Sequence, residues 1–319
     1  MAQLIKISDY VSRYENDLSH YTTQFIRLKR YQWDRLKLQW QNQKDGFFFE
    51  EEVVEEEKPT LFQSLARRFK KAPEQEEQEE EHVDEDILNQ FDPFVTGSAS
   101  SMEQLKRQYT EQLYDFQLKW ASSTLLSRST IHGKYRRDTL MKQFTQKLPD
   151  NFLMMYEPII QIKKAPIEMN ILLLTPVQCY TITVLEHEDV AAFVGGSERF
   201  WVKKYGEHEQ KLLNPLIELS RNESIVQQIF QEEEIELPIK KVLLSRNGYI
   251  DYPGVPFDTT IIDRRTFDEW FEQLRRQSTA PMKLAQYRAA NRLLQLCQTT
   301  ANSMLFPTEE EDLEESEEI

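Results

Sequence analysis

Glycine is scarce in this chain, with eight in 319 residues. So little glycine leaves almost no material for loops that cradle phosphate with backbone N–H groups, and neither GxxxxGK[ST] nor GxGxxG occurs. The nucleophile-elbow pattern GxSxG and the zinc-helix pattern HExxH are also missing. Cysteine occurs twice, at Cys179 and Cys297, each in an apolar periodic stretch and neither in a CxxC. That reads as two small buried hydrophobes in a reducing compartment, not as a disulfide framework. The five histidines (His20, His82, His132, His187 and His208) show no zinc-type spacing. No uninterrupted apolar run is long enough for a membrane span. The start, "MAQLIKISDYVSRYEND", lacks the apolar core of a signal peptide. The expected compartment is the cytoplasm.

Charge is plentiful but unevenly placed. The net charge is −15, yet residues 45–92 alone carry −12 and the stretch Glu309–Ile319 carries −8. The remainder is therefore mildly basic, which does not exclude an anionic partner but is far from a strong nucleic-acid signature. Like-charge runs such as "FFFEEEVVEEEKP" and "APEQEEQEEEHVDED" read as low-complexity linker. Between them, Leu61, Phe62, Leu65 and Phe69 share one helical face beside Arg67, Arg68, Lys70 and Lys71. A basic amphipathic helix at about 61–72 offers weak peripheral membrane contact or a partner-docking face. A short helix paired with its acidic flanks is the plainer alternative.

Periodicity organises the rest. Residues 22–44 read as a helix, with Ile26, Trp33, Leu36 and Trp40 near one face. Ser101 and Gln104 form a capping box ahead of the stripe Leu105, Tyr109, Leu113, Phe116 and Trp120. A further helix is expected over 134–147. After it come β-like segments, "NFLMMYEPIIQIKK", "IEMNILLLTP", "QCYTITVLE", "VAAFVG" and "RFWVKK". Asn214–Pro215 starts a helix, with Asn as N-cap and Pro in the first turn. "LPIKKVLLSR" and "FDTTIID" read as strands, and helices follow on Phe267, Trp270, Phe271, Leu274 and on Tyr287, Ala290, Leu294, Cys297. The fold class is α/β in the α+β sense, a mixed β-sheet sandwiched by helices, with helical additions at both ends. The expected organisation is an N-terminal helical segment (1–45), an acidic linker holding the basic helix (46–100), a helical segment (101–133), an α/β core (134–278), a C-terminal helix (279–300) and an acidic tail (301–319).

Several pieces of the core, in this order, resemble the NERD (nuclease-related) domain. They are a helix with an acid near its start ("GKYRRDTLMKQF"), a strand pair centred on "LLLTP", and a glycine turn before a tryptophan ("GGSERFW"). The helix start "LNPLIEL" and the apolar strand "KKVLLSR" complete the set. The opening segment is similar to that of a subset of such proteins in Bacillus-like Gram-positive bacteria. The resemblance implies a core like the PD-(D/E)XK nucleases, which hold Mg2+ on carboxylates of paired strands. Carried over residue by residue, Trp201, Asn214 and Pro215 match the family. Asp138 keeps the acid of the first helix one carbon shorter. The metal-binding strand acid falls on Asn170, the Glu-x-Lys pair on Thr183 and Leu185, and the glutamine after "NP" on Glu218.

A Mg2+ site for phosphodiester cleavage needs anionic oxygen ligands. Asn170 brings no charge, and Leu185 supplies no ammonium to stabilise developing negative charge. Glu168 lies two residues before Asn170 and shares its face if one strand runs through both. "EHED" (Glu186–Asp189) reads first as a solvated turn. Three readings stay open. The first is a catalytically degenerate nuclease-like module that binds nucleic acid or another protein, with no catalytic residue, metal or cofactor expected. The second is an active Mg2+-dependent nuclease with a migrated site on Asp138, Glu168 and Asn170, where Asp138 and Glu168 hold the metal. The third is a protein that docks partners or membranes through its helices.

Overall fold

The computed structural model describes residues 1–44, 87, 90–95, 99–163, 165–196, 199–254, 256–277, 281–300 and 302–303. The expected helix at 61–72, most of the acidic linker and all but two residues of the acidic tail lie outside the described residues. The chain divides into two compact units, Met1–Thr23 with Thr110–Ile319, and Gln24–Tyr109.

The smaller unit takes most of helix α1 (Leu18–Lys44) and the start of α2 (Met102–Trp120). The N-terminus of α2 closes as the Ser-x-x-Gln spacing predicts. Gln104 N donates to Ser101 Oγ at 3.2 Å, and Ser100 N, one residue further out than usual, donates to Gln104 Oε1 at 2.9 Å. Tyr109 packs against Trp33 at 5.3 Å and donates to Lys29 O at 2.6 Å. The Trp40 indole donates to Ala99 O at 2.8 Å. Tyr109 and Trp40 thus each bury a ring while the polar tip finds a backbone acceptor.

The larger unit is mixed α and β. Its main sheet has six strands in the order β1 (Gln3–Ile7), β3 (Leu153–Tyr156), β6 (Ile171–Leu174), β7 (Cys179–Val184), β11 (Ile239–Leu244) and β13 (Thr259–Ile262). The β6–β7 pair is an antiparallel hairpin with Leu174 opposite Cys179, turning at Thr175–Pro176. β7, β11 and β13 run parallel to one another, so the sheet is mixed. A second sheet has the order β10 (His208–Leu213), β9 (Phe200–Tyr205), β8 (Ala192–Val194) and β12 (Tyr249–Asp251). Two ribbons complete the strands: β4 (Ile159–Ile162) with β5 (Ala165–Glu168), and β2 (Ser127–Arg128) with β14 (Asn302–Ser303).

The central strands are covered on both sides, so alternate side chains go to different cores. One core takes Tyr156, Ile171, Leu173, Ile182, Val242 and Leu244 from the sheet. Against them pack Leu140 and Phe144 of α4 (Thr139–Lys147) and Phe267, Phe271 and Leu274 of α6 (Phe267–Arg276). The other core takes Leu243, with Phe193 and Trp201 of the second sheet and Leu216 and Leu219 of α5 (Pro215–Glu232). Helix α7 (Leu284–Leu296) buries Ala289, Ala290, Leu293 and Leu294.

Some expected boundaries move. The N-terminal segment is not helical throughout, because Gln3–Ile7 forms β1, parallel to β3. Its polar residues hid it from the pattern. Gln3 Nε2 donates to Asp150 O at 3.0 Å, and the buried Lys6 ammonium is held by Glu15 at 2.5 Å and Tyr10 O at 2.6 Å. The 101–133 segment is helical only to Trp120. The helix expected over 134–147 is two, α3 (Gly133–Arg137) and α4, separated where Asp138 is extended and caps α4. The β-like segment expected over 151–164 breaks at Glu157, whose φ is +50°. Strand β10 carries no apolar alternation and was not expected.

The glycine before the tryptophan has a packing reason. A Cβ on Gly195 would lie 2.4 Å from the Trp201 ring, and that ring is fully buried, stacked on Tyr252 at 5.0 Å. Gly196 has nothing within 4 Å of the same position. Gly195→Ala is expected to destabilise the larger unit by about 1–3 kcal/mol through overpacking, with Gly196→Ala near neutral, in urea unfolding followed by tryptophan fluorescence.

Candidate functional site

The residues singled out by the family resemblance gather around the ends of β6 and β7, and the sheet divides them. Asn170 precedes β6 and sits on the side of α5. Its Oδ1 accepts from Val184 N at 2.7 Å and its Nδ2 donates to Glu218 Oε1 at 3.3 Å. Thr183 is buried on that side, and its hydroxyl has no hydrogen-bond partner among the described residues. Leu185 packs against the core that contains Trp201 and Leu216. Asn214 caps α5 by accepting from Leu216 N at 3.0 Å, with Pro215 in the first turn as the sequence indicates.

Asp138 works on the opposite face. Its Oδ1 accepts from Met141 N at 2.9 Å, capping α4, and its Oδ2 accepts from Tyr156 OH at 2.6 Å. Burial, with the Asp138 charge beside it, raises the Tyr156 hydroxyl well above the usual tyrosine range. Tyr135 OH donates to Glu157 Oε2 at 2.8 Å. Burial and the Glu157 carboxylate push that hydroxyl up to about 12.

No single strand runs through Glu168 and Asn170. The expectation assumed one strand through both residues. Instead Glu168 ends β5, in the β4–β5 ribbon opposite Ile159, and is exposed. Between the strands, Met169 N donates to Pro158 O at 3.1 Å and Glu157 N to Asn170 O at 2.6 Å. The period-2 count therefore stops at Glu168. No hydrogen bond or ion pair joins any two of Asp138, Glu168 and Asn170. Among the described residues, no group of three or more His, Cys, Asp or Glu side chains is placed to hold a metal ion.

The face of Asp138 and α4 carries a polar network that the sequence reading passed over. Glu186, read as part of a solvated turn, is bound by Arg246 through Nε at 2.6 Å and Nη2 at 2.8 Å. The same guanidinium donates to Gln143 Oε1 at 3.1 Å and Thr139 Oγ1 at 3.2 Å. Both groups are mostly buried. The network ties the ends of β7 and β11 to the first turns of α4, and every arm of Arg246 is occupied, so it is a brace and not a receptor. The only signal for it in the sequence was faint: Thr139 and Gln143 lie four apart on one helix face. His187 lies against Tyr205, with ring centroids 4.4 Å apart. Burial pushes both cysteine thiols up to about 12, so they are inert rather than nucleophilic.

No family model matches the chain, and no solved structure matches it. One curated protein does, an RNA 2',3'-cyclic phosphodiesterase of Geobacillus stearothermophilus, at 51% identity over 45 residues. The match covers 14% of this chain and 14% of that protein, so the chain spans about one-seventh of the relative it matches.

Asp138 and Glu168 separate cleanly by experiment. Asp138→Ala removes a helix cap and a tyrosine acceptor and is expected to cost about 1–2 kcal/mol in chemical unfolding. Glu168→Ala, at an exposed site with no side-chain partner among the described residues, is expected within about 0.5 kcal/mol of the parent. Millimolar Mg2+ should shift the unfolding midpoint of none of the three proteins.

Proposed function

We propose that the larger unit is a nuclease-related module that no longer cleaves phosphodiesters and serves, in the cytoplasm, as a binding or scaffold element for nucleic acid or another protein. The α+β core with its β6–β7 hairpin, followed by the Asn214–Pro215 helix start and the apolar strand β11, supports a PD-(D/E)XK-like arrangement of the NERD kind. One observation carries the loss of chemistry: the Asn170 amide is spent at both ends, on Val184 N and on Glu218. A residue that bridges a strand to a helix in this way is structural glue where a metal ligand would stand. Thr183, buried on the same side, and the partly buried Leu185 add neither an anionic oxygen nor a cation.

The test is a cleavage assay on the full chain with Mg2+ or Mn2+. Its substrates are single- and double-stranded DNA, RNA, and RNA ending in a 2',3'-cyclic phosphate. No product is expected from any of them. Metal-dependent cleavage lost in Asp138→Ala or Glu168→Ala would overturn the reading in favour of a migrated active site. Opening of the cyclic phosphate would instead bring the chemistry named for the Geobacillus protein to this chain.

A second measurement addresses the same position through stability. Asn170→Asp would place a carboxylate where the amide now donates to Glu218 Oε1 at 3.3 Å. Two carboxylates that close raise the folded-state pKa of the new group above its unfolded value. Stability is then retained below the unfolded pKa and lost as pH rises through the folded one. By neutral pH the variant should be less stable than the parent by about 2 kcal/mol, read as a pH series of unfolding midpoints. Recovery of that loss by millimolar Mg2+ would mark a geometry still able to hold metal.

A further inference from the structure

The second sheet ends in an open edge. Strand β10 pairs with β9 through a two-residue loop, with Tyr205 opposite His208 and Phe200 opposite Leu213. Gly206 takes the first loop position with φ +54°, as a primed hairpin turn requires. On its other side β10 has no strand partner among the described residues, and its side chains are exposed from His208 to Lys211.

The hairpin fixes which backbone groups are free. In an antiparallel pair the bonds to the neighbour come from every second residue. Asn214 N donates to Arg199 O at 2.9 Å, so the even positions of β10 face β9. The N–H and C=O groups of Glu209, Lys211 and Leu213 therefore point outward, where they template another strand.

We propose that this edge joins two copies of the chain, β10 against β10 about a two-fold axis through Gln210. In that register Glu209 lies opposite the partner's Lys211, and Lys211 opposite the partner's Glu209. The two closed pairs form about four backbone hydrogen bonds and two cross-strand charge pairs. The neighbouring register, with its axis through Lys211, sets that lysine against the partner's Lys211, and like charges directly opposite are unfavourable. Charge thus selects both the occupant and the register. The patch is self-complementary, as a two-fold interface must be, whereas an unrelated extended peptide would meet one acid and one base in fixed order. Glu209 already meets Lys204 at 2.8 Å, but both side chains are half-exposed or more, so that pair is weak and shareable. The join would make one continuous sheet from two four-stranded ones. An interface built on one short strand is small, so the dimer should be reversible and concentration-dependent.

The test is sedimentation velocity of the full chain across a concentration series. The mass should rise from that of the 38.1 kDa monomer toward twice that value. Lys211→Glu sets acid against acid, and Glu209→Lys sets base against base. Each alone should raise the dimer dissociation constant by about tenfold or more. Mixed one to one, the two variants complement each other and should associate at least as tightly as the parent, which a misfolded hairpin would not do. A parent that stays monomeric throughout overturns the proposal. So does a dimer that neither substitution weakens, or a mixture that fails to associate.

Discussion

Everything in the larger unit follows from burying β7 and β11 on both faces. The two strands pair in parallel, Ile182 beside Val242 and Thr183 beside Leu243. Neighbouring side chains along each strand must point to opposite faces. Ile182 and Leu244 go to the core beneath α4 and α6, and Leu243 goes to the core beneath α5 and the second sheet. Once that alternation is set, every polar residue near the strand ends is assigned to a side. Glu186 and Arg246 fall with Thr139 and Gln143 on the first face, and Asn170 and Glu218 meet on the second. A shift of one residue would exchange the two sets and put leucine where carboxylate stands.

The sheets deal with their edges in different ways. At β1 the outward backbone groups are met by side chains: Gln117 accepts from Leu4 N at 2.8 Å and donates to Ala2 O at 3.1 Å, and Ser12 Oγ donates to Ile5 O at 2.7 Å. At the inner end of β6, Gln286 of α7 donates to Leu174 O at 3.0 Å and to Asn151 O at 2.7 Å. Buried amides suit this work, since each carries a donor and an acceptor and can bridge groups that no strand reaches. Among the described residues β10 has no such cover and instead carries charge along its edge, a common guard against unselective pairing. A charged edge still admits a partner whose charges match.

The parts legible in the sequence were those where pattern and burial agree. The β6–β7 hairpin showed as two apolar runs around Thr175–Pro176, and α5 announced itself by Asn214 and Pro215. β1 was illegible because a buried glutamine and a buried lysine interrupt it, and the glutamine's partner Asp150 lies 147 positions away in sequence. β10 was illegible for the opposite reason: its side chains are largely exposed, so no apolar alternation exists to read. The count from Glu168 to Asn170 stops at a single irregularity between β5 and β6, opposite Glu157 with its positive φ, which propensity does not reveal. The brace of Arg246 on Glu186 joins residues sixty positions apart, and only the fold brings them together.

Asn170, Thr183 and Leu185 make physical sense as a set. They lie on the α5 side of the sheet, where the fully buried Trp201 belongs to the core. A carboxylate and an ammonium held there must be stripped of water, which is costly unless a metal or substrate compensates. An amide, a hydroxyl and an isobutyl group avoid that cost. The amide makes two hydrogen bonds, and the leucine packs on the core. Thr183 is the exception, since its hydroxyl is buried without a partner among the described residues. A valine of the same shape would relieve that, so packing and hydrogen bonding alone account for two of the three positions.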